Sequence, residues 1–147
     1  MGAIAAPAQG PYPTGVDFTP VRVAGAGNAL TLRVAEPYHP QSVRGTVWRY
    51  ELDASRANWI NGTSVGEFTP FLPTVPIGGP SAADDHLFLV LGTVLAHGDD
   101  PPTPYQVIVS ILQGEQELSH EVPPDNGSGR LGTQNRVFVY RFVVTAA

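Results

Sequence analysis

The chain contains no cysteine and no lysine. Without cysteine there is no disulfide, no thiol nucleophile and no thiolate metal site, and nothing follows about the redox compartment. The missing lysine reads as the codon bias of a GC-rich genome. Charge is sparse as well: charged residues make up 14% of the chain, the formal charge is −5, and no like-charge run exceeds the pairs Asp84-Asp85 and Asp99-Asp100. Nucleic acid requires a clustered basic face, so it is not an expected partner. No apolar run is long enough to cross a membrane as a helix, and the opening residues show neither the basic segment nor the apolar stretch of a signal peptide. Helical periodicity over ten or more residues is also missing.

What is present describes a packed chain. The 147 residues are 42% hydrophobic, a size and balance that suit one domain with a full core. Glycine (16) and proline (15) are plentiful, and in a chain this apolar they signal many turns rather than disorder.

Residues 1–19 carry Pro7, Pro11, Pro13, Gly10 and Gly15 without periodicity and read as an arm preceding one domain over 20–147. Val21 and Val23, the turn Gly25-Ala26-Gly27-Asn28, and the alternation of Leu30, Leu32 and Val34 read as a hairpin. Trp48, Tyr50 and Leu52 alternate with Val47, Arg49 and Glu51 in a further strand. Residues 54–83 read as a long irregular insertion whose apolar members, Val65, Phe68, Phe71, Leu72, Val75 and Ile77, pack down onto the domain. The nearly unbroken apolar run from His86 to Ala96 fits a central strand covered on both faces. Tyr105–Gln113 reads as a second such strand, polar Gln116–Glu121 as an edge strand, and alternating Arg136–Val144 as the last one. The expected fold is therefore all-β, an antiparallel two-sheet sandwich of immunoglobulin-like or jelly-roll type with seven to nine strands.

Two constellations carry chemistry. The first is Asp84, Asp85 and His86 with His97, Asp99 and Asp100, because carboxylates and imidazoles bind transition metals and aspartates alone can hold calcium. A straight strand between the groups separates them by about 35 Å. Only a two-residue turn at Gly92-Thr93 would bring His86 opposite Asp99. The second is Trp59 between Asn58 and Asn61, an indole with amide neighbours suited to stacking on a sugar ring and bonding its hydroxyls. Tyr12, Tyr38 and His39 could extend that platform, and the competing reading makes Trp59 a plug at one end of the sandwich. No Gly-x-Ser-x-Gly elbow and no phosphate-cradling loop before a helix occurs.

The expected function is thus a non-catalytic interaction or assembly module, a subunit of a bacterial or viral surface structure, with no required cofactor. Its partner would be a second copy or another protein, contacted through residues 1–19 and the 54–83 loop. A cell-surface, extracellular or virion setting suits such a subunit better than the cytoplasm. The alternatives are glycan binding through Trp59 and a small metal-dependent enzyme built on His86 and His97.

Overall fold

The computed structural model describes residues 19–38, 42–55, 59–96, 103–119 and 128–146. Eleven strands and one helical turn lie among them, so the all-β expectation holds while the count exceeds seven to nine. In chain order they are β1 (Thr19–Val23), β2 (Leu30–Ala35), β3 (Val43–Leu52), β4 (Trp59–Phe68), β5 (Thr74–Gly78), α1 (Pro80–Ala83), β6 (Leu87–Val94), β7 (Thr103–Gln106), β8 (Ile108–Gln113), β9 (Gln116–Ser119), β10 (Ser128–Leu131) and β11 (Arg136–Ala146).

A five-stranded sheet runs β1-β11-β6-β3-β4, a four-stranded sheet runs β5-β2-β8-β9, and β10 pairs with β7 in a short third ladder. The first sheet is not purely antiparallel. Strand β1 lies parallel to β11, with Thr19 opposite Phe142 and Val23 opposite Ala146. Alternation reports which face a residue occupies but not the direction of its neighbour, and this pairing of remote segments needs no turn that a sequence would display.

The two larger sheets contribute to one core. Leu30, Leu32 and Val34 of β2, Val109 and Ile111 of β8, and Phe88, Val90, Phe138 and Phe142 of β6 and β11 are all buried in the same cluster. Its aromatic members interlock: Phe88 stacks on Phe142 at 5.1 Å between centroids, and Phe68 meets Phe138 at 6.3 Å with tilted planes. Such pairs add to the area term because ring edges carry positive charge and faces negative. Space for the second pair comes from facing glycines. Gly45 and Gly92 are register partners on β3 and β6, and a β-carbon on Gly92 would sit 2.3 Å from the Phe138 ring.

The apolar run of β6 is explained by its position. It is the middle strand of the five, and its opposite face holds a second buried cluster of Leu87, Leu89, Tyr50 and Val143, with Trp48, Trp59 and Val139 packed against it. A strand covered on both sides has no polar alternation to show.

Three local expectations are revised, the first being that Tyr105–Gln113 is one strand: it divides between β7, which pairs with β10, and β8, which pairs with β2 and β9. β1 and β2 do not form a hairpin, since β1 joins β11 while β2 joins β5 and β8, so Ala24–Ala29 carries the chain from one sheet to the other. The Gln113 side chain pins that crossing, accepting from the Ala24 amide at 3.0 Å and donating to the Ala24 and Asn28 carbonyls at 2.8 and 3.1 Å. The stretch 54–83 is likewise not one irregular insertion, because it contains β4, β5 and α1. Strand β4 is an edge strand with two register shifts against β3. Its polar Asn61-Gly62-Thr63-Ser64 therefore resembles loop sequence without being loop, as edge strands need no apolar outer face.

Candidate functional site

Strand β2 buries every second residue, Leu30, Leu32 and Val34, and that phase continues to Glu36. Glu36 is accordingly 2% exposed, and it is the acidic side chain in the buried set of the described residues. Pro37 follows and removes the next backbone donor, which ends the ladder. The carboxyl group turns the chain as it leaves the strand: Oε1 accepts from the Tyr38 amide. Its other oxygen, Oε2, has no hydrogen-bond partner among the described residues. A buried acceptor left in this state costs about 1–3 kcal/mol, and more when charged.

Glu36 lies in the wall of a cavity of about 290 Å³ whose other described walls are apolar: Val34, Ala35, Val43 and the three prolines Pro37, Pro70 and Pro73. A volume near the lower end of ligand pockets suits one side chain or a small fragment rather than a drug-sized molecule. The far wall is the β4–β5 turn, fixed to β2 by the Val34 amide donating to the Pro73 carbonyl at 2.9 Å.

That turn is tightly closed. The Thr69 amide donates to the Leu72 carbonyl at 3.0 Å and the Leu72 amide returns to the Thr69 carbonyl at 3.1 Å. Thr69 Oγ1 also accepts from the Phe71 and Leu72 amides at 3.2 and 3.1 Å. With both ends and the middle tied, Phe71 and Leu72 point outward, 82% and 67% exposed. The expectation that they pack down fails for this reason, while Phe68, Val75 and Ile77 on the flanking strands are buried and Val65 packs partly against the core. Tyr38, 57% exposed, stands two residues from Glu36.

Among the described residues, Tyr38 and Trp59 do not share one glycan platform. Tyr38 belongs to the Glu36 corner, near the Val43 end of β3, whereas Trp59 pairs with Leu52 at the other end of that ten-residue strand, about 30 Å away. Trp59 is half-buried against the Tyr50, Leu87, Leu89 and Val143 cluster. Asn61 takes a left-handed backbone, φ 58°, and its amide donates to Glu51 Oε1 at 2.8 Å. Asn58, His39 and Tyr12 lie outside the described residues.

The acidic constellation fares similarly. Gly92 and Thr93 sit inside an uninterrupted β6, paired to both β3 and β11, so the turn that would join the two halves does not form. Asp84 Oδ1 instead accepts from the Ala146 amide at 2.8 Å, its carbonyl meets His86 Nδ1 at 2.9 Å, and the Asp85 amide donates to the Val144 carbonyl at 2.8 Å. These groups fasten the start of β6 to β11. Among the described residues no cluster of three or more His, Asp or Glu is placed to hold a metal ion; His97, Asp99 and Asp100 lie outside them.

A smaller cavity of about 180 Å³ opens at the β10–β11 connection between Arg130, Thr133, Gln134 and Arg136. Arg136 donates to the Arg130 carbonyl at 3.3 Å. Burial pushes the Tyr105 hydroxyl above its ordinary pKa, and the Arg136 charge partly opposes that rise.

Sequence reasoning missed Glu36, Phe71 and Leu72. The signal for Glu36 was its phase, an acid at an inward position of β2. The signal for the pair was Pro70 and Pro73 bracketing it, the mark of a turn rather than of a packed loop. No protein-family model, no curated protein and no solved structure matches the chain.

Proposed function

We propose that this chain is a non-catalytic interaction and assembly module built on a β-sandwich scaffold, docking to a second copy of itself through the β4–β5 turn. One observation carries the reading: Phe71 and Leu72 are held out in solvent on a turn closed by four hydrogen bonds. Exposing two large apolar side chains on a fixed backbone is unfavourable for an isolated molecule and favourable for docking, because little conformational freedom is left to lose. The adjoining cavity supplies a recess beside this projection, and the proline-rich sequence of residues 1–19 is proposed as a second contact with a neighbour.

Sedimentation velocity tests this directly. The full chain is expected to form a defined oligomer, and the double variant Phe71→Ser/Leu72→Ser to sediment as a monomer with an unchanged circular dichroism spectrum. A full-length chain that is monomeric at high micromolar concentration, or an oligomer indifferent to the double substitution, overturns the reading.

A further inference from the structure

We infer that the recess between β2 and the β4–β5 turn receives Phe71 of a second copy while the first copy's Phe71 enters the second copy's recess, so that the assembly is a two-fold dimer closed by reciprocal insertion. The inference rests on the assembly reading above and names the surface that meets the turn.

Position is the first argument. Pro70 and Pro73 belong to the wall of the recess, whereas Phe71 and Leu72 between them point into solvent. A projection and a hollow therefore lie side by side on one short turn. A two-fold axis passing between two such features exchanges them, so each projection meets the other copy's hollow and both contacts form at once. One-way insertion leaves a projection and a hollow unfilled at its two ends, and continues into a ring or a fibre.

The wall supplies the second argument. Val34, Ala35, Val43 and three prolines present hydrocarbon to an occupant. Glu36 borders the recess too, but its Oε1 is bonded by the Tyr38 amide and its Oε2 is shielded from solvent, so the carboxyl offers an occupant little. At about 290 Å³, near the lower end of ligand pockets, the space suits one large apolar side chain rather than a segment of chain.

Area and charge favour a second copy as the source of that side chain. One inserted phenylalanine removes about 150–250 Å² of its own surface and a similar area of the recess, well short of the roughly 1,200 Å² at which stable pairs begin. Reciprocal insertion doubles that area, and Leu72 and Tyr38, both exposed at this corner, bring the total toward that range. On the flanking strands Arg44, next to Val43, and Glu67, next to Phe68, are exposed. They share the outer face of the five-stranded sheet, since Glu67 is the register partner of Thr46. Neither is in an ion pair among the described residues. One charge of each sign lets this patch meet its own two-fold image with Arg44 toward Glu67, whereas charges of one sign would repel it.

The test uses the full chain, half of it labelled with carbon-13 and half unlabelled, in a filtered NOE experiment that records contacts between copies alone. Cross-peaks are expected from the Phe71 ring of one copy to the methyl groups of Ala35 and Val43 of the other, and sedimentation is expected to give the mass of two chains. Phe71→Ser, with an unchanged circular dichroism spectrum, should abolish these cross-peaks and raise the dissociation constant at least about tenfold. Cross-peaks from Phe71 confined to the other copy's Phe71 and Leu72, or reaching residues away from the recess, overturn the inference, as does an assembly of three or more chains. A monomeric parent chain overturns the assembly reading and this inference together. An oligomer that Phe71→Ser/Leu72→Ser dissociates, but whose contacts avoid the recess, overturns this inference alone.

Discussion

Two corners of this molecule invite opposite readings from the ones their residues suggest. The Asp84-Asp85-His86 corner is polar and resembles chemistry, yet its Asp84 carboxylate, the backbone of Asp84 and Asp85 and the His86 ring are used in binding β6 to β11 and to one another. The Phe68–Thr74 corner is apolar and resembles packing, yet its tip faces solvent and the cavity beside it is bordered by Glu36, whose shielded Oε2 has no partner among the described residues. The lesson is that composition alone does not mark a site. Groups that satisfy each other are structural, and groups left in an unfavourable state by their own fold are where a ligand or partner has something to contribute.

The comparison can be sharpened within the second corner. Phe68, 1% exposed against Phe138 and the two facing glycines, should lose about 3–5 kcal/mol of stability on substitution by alanine, measured by denaturant unfolding. A loss under 1 kcal/mol would mean the buried side of this corner is as loosely held as its tip. The acidic corner should respond less: Asp84→Ala removes the acceptor of the Ala146 amide and should cost about 1 kcal/mol, with no change in melting temperature when a chelator is added to either form. A melting temperature that falls on chelation would restore the metal reading. Smallest of all, Phe71→Ser should move monomer stability by less than about 0.5 kcal/mol, although Phe71 lies only three residues from Phe68. A large loss there would show that the tip packs in solution.

The fold was legible wherever one face is wet and the other dry. Leu30, Leu32 and Val34 announced β2, and the unbroken apolar run of Leu87–Val94 announced a central strand, because both patterns follow from how many sides of a strand are covered. Partners were not legible. The Gly25–Asn28 turn has the composition of a hairpin but joins two sheets, and what enforces the crossing is the side chain of Gln113, remote in sequence. The edge position of β4 hid it for a related reason, since an outer strand with register shifts has too little alternation to separate from loop. At the candidate site the sequence reading named Tyr38, two residues from Glu36, for a different platform, and named the stretch that contains Pro70–Pro73 for contact with a partner. It missed the residues themselves, because an unpartnered oxygen and an outward-facing phenylalanine are properties of the assembled chain.

The parallel clasp of β1 on β11 also orders events in time. Thr19 leaves the ribosome long before Phe142 exists to receive it, so this edge of the five-stranded sheet waits for β11, although β1 is the earliest strand among the described residues. Until then Val21 and Val23 have no ladder to join and β6 lacks one of its two neighbours. Closing so large a loop is entropically slow, which leaves the unfinished sheet open to wrong partners until the β11 segment has been made.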